Sequence, residues 1–284
     1  MNKKVWILWA ALMYMLTFLL FFCRAAFTDS LDYRLPFMAY GGTFKYHYWY
    51  ICGMKVSLYW CSHVVGVVGM MVMCYLRRRR FGYSGAFAAI TAFMLAFMGY
   101  IGAKLLYTFE NWEKVLQEGF SINGVSFFGT VFFMPAAIYA ISEMAGIEYK
   151  GYLDYCTPAG LLMLICIRTG CFLNGCCHGK YIEYKKRPIV FPSQLLECVI
   201  DLLLLYALVV FQDKIKNGRL YIAFLGGYGI LRFVVELTRD TDKSIMGMSN
   251  GQIFSVVCVF VMFIFIIYDF LVDMKMANQR RSNY

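Results

Sequence analysis

The segment Arg168-Thr-Gly-Cys-Phe-Leu-Asn-Gly-Cys-Cys-His-Gly-Lys180 concentrates the chemistry of this chain. It sets an arginine near the end of a long apolar run and turns through glycines. It then places three cysteines and one of the chain's three histidines within eight residues. An arginine inside a membrane span costs about 2.5–3.5 kcal/mol at the bilayer centre, which makes Arg168 a functional candidate. Its planar fork suits a phosphate, to which it donates two parallel charge-assisted hydrogen bonds. A cysteine thiolate is a nucleophile. His178 offers a general base or a hydrogen-bond donor, because imidazole titrates near neutral pH. The purely structural alternative is a tight turn capping a helix, with Gly170, Gly175 and Gly179 supplying backbone freedom. Zinc fits the spacing poorly. Structural zinc sites pair Cys-x-x-Cys units, or one such unit with spaced histidines, and no second ligand cluster occurs in the chain. The expectation is no metal and no other cofactor. A Cys176–Cys177 bridge would be strained, whereas Cys171 could bond to either if the geometry allows.

The elements that must position these groups cross a membrane. Residues are 61% hydrophobic and only 15% charged, against about 25% charged in a soluble domain. Crossing a hydrocarbon core takes roughly 20 apolar residues. Such runs lie near 5–22, 50–76, 83–108, 125–143, 153–173, 194–212, 219–239 and 252–272. The fold class is therefore an all-α integral membrane protein, a polytopic helical bundle with no soluble domain. The first run follows Asn2-Lys3-Lys4 and meets no small-residue cleavage site at Cys23-Arg24, so it reads as a retained helix. The net charge of +10 reads first as positive-inside loops, and the scattered charges form no nucleic-acid face. Arg77 to Arg80, then Lys214, Lys216 and Arg219, then Lys275, Arg280 and Arg281 fit one cytoplasmic side with both termini on it. The basic loop Lys180 to Arg187 falls on the outer side. It is either a harmless local excess or a platform for anionic lipid or peptide. Cys52, Cys61, Cys74, Cys156, Cys166, Cys198 and Cys258 lie in apolar runs and read as small hydrophobes.

With this topology the intramembrane charges gather toward the outer face. Arg168 and Lys104 lie near the outer ends of their spans, and Arg232, Glu236 and Arg239 climb the outer half of theirs. Arg232 and Glu236 are four apart and share a helix face, as do Glu197 and Asp201. One reading is a structural ion-pair network with snorkelling side chains. The other is a polar cavity open to the outer leaflet, with converging cations that receive an anionic phospholipid headgroup.

Separated segments then fall into one pattern. Gly102-Ala-Lys-Leu-Leu-Tyr107, Ser126-Phe-Phe-Gly129, Arg168-Thr-Gly-Cys-Phe-Leu-Asn-Gly175, Pro192-Ser-Gln-Leu-Leu-Glu197, Tyr228-Gly-Ile-Leu-Arg-Phe-Val-Val-Glu236 and Met248-Ser-Asn-Gly-Gln252 stand in this order. Together they resemble the ordered motifs of the prolipoprotein diacylglyceryl transferase family. The resemblance covers about residues 44–270. It implies seven shared helices, with the N-terminal helix as an addition. It thus divides the chain into 1–43, a membrane domain at 44–273, and a basic cytoplasmic tail at 274–284. It also implies a multi-pass protein of the bacterial cytoplasmic membrane, active at its outer face. The reaction implied moves diacylglyceryl from phosphatidylglycerol, or a similar anionic phospholipid, to the thiol of a lipobox cysteine on a precursor protein. The residues implied for catalysis are Arg168, Arg232, His178 and Glu236. Those implied for substrate binding are Lys104, Tyr107, Phe128, Gly129, Cys171, Asn174, Gly179, Glu197, Tyr228 and Arg239. This chain departs from the family pattern at several places. Phe128 stands where the family has a loop histidine, Cys171 replaces an asparagine, and Phe191 replaces a histidine. The alternatives are a divergent paralogue with another acceptor or lipid, a non-catalytic protein that binds anionic lipid, and a transporter. The last would call for inverted repeats and broken midplane helices, and the sequence has neither.

Overall fold

The computed structural model describes residues 48–51, 54–119, 124–184, 187–243 and 247–282. The N-terminal run at 5–22 lies outside them. A hairpin opens the described chain, pairing β1 (Tyr48–Ile51) antiparallel with β2 (Met54–Ser57). Helices follow as α1 (Leu58–Phe81), α2 (Gly85–Glu110), α3 (Trp112–Glu118), α4 (Phe127–Ala145) and α5 (Tyr149–Asn174). A second antiparallel hairpin, β3 (Tyr181–Tyr184) with β4 (Arg187–Val190), leads into α6 (Ser193–Phe211), α7 (Leu220–Leu237) and α8 (Asn250–Ser282). Among the described residues, all of these helices except α3 are long and apolar enough to cross a membrane, seven in all. A polytopic helical membrane bundle is thus what the chain forms.

The expected span at 50–76 is corrected. Its first residues are strand, and the helix begins at Leu58 and runs to Phe81. Tyr48-Trp-Tyr-Ile and the Met54-Lys-Val-Ser strand are aromatic and β-branched enough to pair, and a short apolar run does not tell strand from helix. The basic loop after α5 likewise contains the second hairpin rather than irregular chain.

Helix α5 is the centre of the bundle. In its spanning window 83% of residues are buried, against 11% in α8. α1, α4, α6 and α7 pack around it, α2 packs on α1 and α4, and α8 packs on α7. A lipid solvent provides no hydrophobic drive between helices, so contact rests on close packing of small residues. Gly102 of α2 and Gly129 of α4 show this: a Cβ on Gly102 would sit 2.7 Å from the Gly129 carbonyl oxygen, and one on Gly129 would strike Gly102 in return. Buried Tyr152 and Tyr155 give their hydroxyls to Thr91 Oγ1 at 3.1 Å and the Cys74 carbonyl at 2.7 Å, and Tyr221 bonds the Val131 carbonyl.

One end of the bundle is tied by charge. Arg77, fully buried, donates to Gln212 Oε1 at 2.9 Å and to the Asp154 carbonyl at 3.0 Å. The Asp154 carboxylate accepts from the Gly218 and Leu220 amides at 2.7 and 3.0 Å, where a negative group complements the start of α7. Arg80 meets Asp213 at 2.7 Å, and Arg219 holds Asp269 through two bonds of 2.8 and 2.7 Å. Arg77, Arg80 and Arg219, three of the basic residues that the sequence assigns to one side, therefore lie at one end. The Arg168 end of α5 is the opposite end.

The packing yields a contrast. Gly129→Val should destabilise the detergent-extracted protein by about 1–3 kcal/mol through overpacking, seen as a lower thermal midpoint. Gly160→Ala, on an exposed helical position with nothing within 4 Å of the added carbon, should leave that midpoint unchanged or slightly raised. Equal midpoints for the two variants would refute the close α2–α4 approach.

Candidate active site

Three helices supply one connected polar cluster. Glu197, on the first turns of α6, lies between two arginines: Arg168 Nε of α5 is 2.9 Å from Oε1, and Arg232 Nη1 of α7 is 3.0 Å from Oε2. Arg232 Nη2 also meets Glu236 Oε2 at 2.6 Å, one turn further along α7. Arg239 Nη1 reaches the same oxygen at 3.3 Å, and Ser249 Oγ donates to Glu236 Oε1 at 3.1 Å. The Tyr228 hydroxyl lies 3.5 Å from Glu197 Oε1. Arg168, Glu197, Arg232 and Glu236 are all buried. Two like charges this close in a low dielectric are tolerable because a carboxylate sits between them. Gly251, at the start of α8, makes the room: a Cβ there would lie 2.7 Å from the Glu236 carboxyl carbon.

The two arginines differ in what they have left to give. Both Nη groups of Arg232 are taken, by Glu197 and Glu236. Arg168 is anchored through Nε alone, and among the described residues its terminal Nη pair has no hydrogen-bond partner. Its guanidinium carbon stands 5.9 Å from the centre of the Phe127 ring, a cation–π distance. Asp201, one turn below Glu197, is fully buried with neither carboxylate oxygen bonded among the described residues.

The turn after α5 adjoins this cluster. Gly175 ends the helix in the left-handed region at φ 71°, and Cys176 N returns to the Cys171 carbonyl at 3.1 Å. Cys177 follows at φ 59°, a conformation that non-glycine residues rarely adopt. The sulfurs of Cys171, Cys176 and Cys177 consequently lie within 4.8 Å of one another. Hydrogen bonds from Cys171 and Cys176, with Arg168 and Arg239 nearby, hold the Cys177 thiol well below the usual thiol range. His178 Nδ1 is 2.9 Å from the Gly179 carbonyl and donates to it. Neighbouring elements fix the turn. Gly179 N donates to the Phe191 carbonyl at 2.8 Å, Lys180 N to the Thr238 carbonyl at 2.8 Å, and Gln194 Nε2 to the Cys176 carbonyl at 2.6 Å. Gly179 pairs with Arg239 in an isolated β-bridge, where a Cβ would meet the Phe191 and Thr238 carbonyls at 2.7 Å.

The residues singled out from sequence thus fall into groups. Arg168, Glu197, Tyr228, Arg232, Glu236 and Arg239 form the charged cluster. Cys171, Asn174, His178 and Gly179 form the adjoining turn, with the Asn174 side chain bonded to Cys176. Phe128 is buried in an aromatic stack, its ring 5.8 Å from Tyr228 and 5.3 Å from Phe254, so it seals the floor where a polar group would stand. Gly129 serves the helix contact with Gly102. Lys104 donates to the Gly124 carbonyl at 2.7 Å and stands 5.5 Å from the Tyr107 ring centre. An open apolar groove of about 510 Å³ runs beside it, lined by Tyr100, Ile101, Lys104, Leu105, Thr108, Phe109 and Trp112. Of the predicted site residues only Lys104 lines that groove. Three contributors were missed. Ser249 and Gly251 lie in the Met248–Gln252 motif, where their partner Glu236 is the missing signal. Tyr59, within electrostatic reach of Arg168 and the three cysteines, carries no sequence mark. His63 donates to the Tyr59 carbonyl at 2.8 Å and stacks on its ring, a packing residue.

Comparison with known proteins agrees with this arrangement. The prolipoprotein diacylglyceryl transferase family profile matches residues 47–268. The phosphatidylglycerol–prolipoprotein diacylglyceryl transferase of Dehalococcoides mccartyi is 25% identical over 229 residues, covering 74% of this chain and 88% of that protein. The Clostridium tetani enzyme of the same name is 24% identical over 227 residues, covering 74% and 91%. The Idiomarina loihiensis one is 32% identical over 170 residues, covering 54% and 64%. With its seven apolar helices, the chain is a multi-pass bacterial membrane transferase and belongs to the prolipoprotein diacylglyceryl transferase family.

Proposed function

We propose that the chain moves diacylglyceryl from phosphatidylglycerol to the thiol of a lipobox cysteine on a precursor protein, at the outer face of the bacterial cytoplasmic membrane. The observation that carries this reading is the open fork of Arg168, held by Glu197 through Nε while its two terminal nitrogens stay available among the described residues. Such a fork matches two phosphate oxygens. The acceptor sulfur forms a bond to the glyceryl carbon as the carbon–oxygen bond to phosphate breaks. The phosphate oxygen takes the electron pair, and glycerol phosphate leaves. Arg168 stabilises the charge that gathers on that oxygen, where a fixed donor in a dry site is most effective. Arg232 sets the position of Arg168 through their shared Glu197, and Glu236 with Ser249 and Arg239 holds Arg232 in turn. His178, beside the cysteine turn, receives the proton of the acceptor thiol. The gathering of Arg77, Arg80 and Arg219 at the opposite end supports an outward-facing site by the positive-inside rule.

The test is transfer by purified protein from phosphatidylglycerol to a lipobox peptide, scored by mass. Arg168→Ala should lower kcat/KM by about 10²- to 10³-fold, with a fall in thermal midpoint that is limited because Glu197 keeps Arg232. Arg168→Lys should recover little, because an ammonium lacks the fork. Product at the wild-type rate from Arg168→Ala would defeat the assignment. Absence of product from the wild-type protein, with anionic lipid still bound, would leave a lipid-binding role or another acceptor. Glu197→Gln should behave differently. It leaves two buried arginines without their shared carboxylate, so both activity and stability should fall, the latter by about 3–5 kcal/mol. His178→Gln should lower kcat by about 10²-fold or more with lipid binding retained, and an unaltered kcat would remove it from proton transfer.

A further inference from the structure

The structure gives the cysteine turn a geometry that spacing alone does not suggest. Cys171 lies on the last turn of α5, three residues beyond Arg168 and on the same face of the helix. The left-handed Gly175 and Cys177 fold the chain back over it, and three sulfurs come within 4.8 Å of one another. Bonds from α6 and from the end of α7 hold the turn in place, so the cluster is built before any ligand arrives. A zinc–thiolate bond is about 2.3 Å long, which puts the sulfurs of a tetrahedral site about 3.8 Å apart. Side-chain rotation of Cys177, which is exposed, and Cys176, which is half-buried, can close the remaining distance. A divalent ion on three thiolates carries one net negative charge. Arg168 and Arg239, both within electrostatic reach of Cys177, offset it. Soft sulfur ligands select thiophilic ions such as zinc or copper(I) over hard ones.

We propose that Cys171, Cys176 and Cys177 hold one thiophilic metal ion of the zinc class, and that its open fourth position takes the acceptor thiol. The second half rests on the transferase reading above. The chain has reason for such a device. Phe128 occupies an aromatic stack where the family pattern has a histidine, so an apolar ring stands at the position of that base. A thiol bound to such an ion is deprotonated outright. The acceptor thiol gives its proton to water, directly or by way of His178. The bound sulfur then attacks the glyceryl carbon, glycerol phosphate departs, and nothing is oxidised or reduced. Cys177 is the exposed member of the three, so a peptide can reach the cluster from its side.

The test uses the full chain in detergent, kept reduced, stripped with a chelator and titrated with cobalt(II) as a spectroscopic probe. One cobalt per chain is expected, with a thiolate-to-cobalt charge-transfer band and the strong visible bands of tetrahedral cobalt. Zinc should displace it stoichiometrically. Cys171→Ser, Cys176→Ser and Cys177→Ser should each lose the charge-transfer band while keeping the wild-type thermal midpoint. The solvent-facing Cys177→Ser is the variant least exposed to folding effects. A lipobox peptide with its cysteine should shift the visible bands, and the same peptide with serine should not. Failure to bind cobalt or zinc by the reduced protein, or equal binding by the triple serine variant, would overturn the site. A spectrum indifferent to the cysteine peptide, or a closed trigonal copper(I) site, would overturn the acceptor role. Transfer is scored separately by peptide mass. Full transfer by metal-free protein sinks this inference and leaves the transferase standing. A cysteine-specific spectral shift with no transfer from phosphatidylglycerol supports the thiol-binding ion and sinks the transferase reading.

Discussion

Two guanidinium groups, from Arg168 and Arg232, sit at one depth of an apolar bundle because the Glu197 carboxylate lies between them. Neither arginine would remain charged and buried alone, and without them the carboxylate would be the isolated ion. The three groups come from α5, α6 and α7, so the arrangement fixes those helices at one end. Glu236 then balances the second arginine from within its own helix. What remains is asymmetric: among the described residues, one arginine is spent on structure and the other keeps its fork. A polar network that satisfies itself completely is inert toward a ligand, and this one does not: among the described residues the Arg168 fork and the Asp201 carboxylate are left over.

The remainder of the bundle keeps that cluster dry and in register. Helix α5 is enclosed by its neighbours, and glycines let α2 approach α4 and α8 approach Glu236. The opposite end is closed by Arg77, Asp154 and Gln212, which tie α1, α5 and α7 through buried hydrogen bonds. Helices pinned at both ends leave little freedom between. This suits a site whose chemistry depends on a fixed donor rather than on closure of a lid.

Much of this was legible in the sequence because charge inside a membrane span is rare and has to find a partner. Helical spacing paired Arg232 with Glu236, and the basic loops marked one end. The ordered motifs tied Arg168, Glu197 and Tyr228 to one family. The misses have physical causes. Tyr48 to Ser57 is apolar and aromatic, and such a run suits a strand as well as the start of a helix. Ser249 acts through Glu236 from the segment that leads into α8, a contact that no local pattern encodes. The cysteines gather because a left-handed cap reverses the chain, and spacing rules drawn from soluble zinc modules do not describe a helix terminus.

The order of the chain adds a consequence for biogenesis. Helix α5 carries Arg168 and Asp154 and is the most enclosed span, yet it is synthesised before α6 and α7, which hold the partners of both residues. During insertion it therefore exposes a cation and an anion that lipid accepts poorly. Its earlier neighbour α1 can cover part of it, with Gly66 and Gly170 allowing close approach. Arg168 of the nascent α5 gains its counter-ion only when α6 delivers Glu197. The site is complete only when α7 and the segment that leads into α8 add Arg232, Glu236 and Ser249.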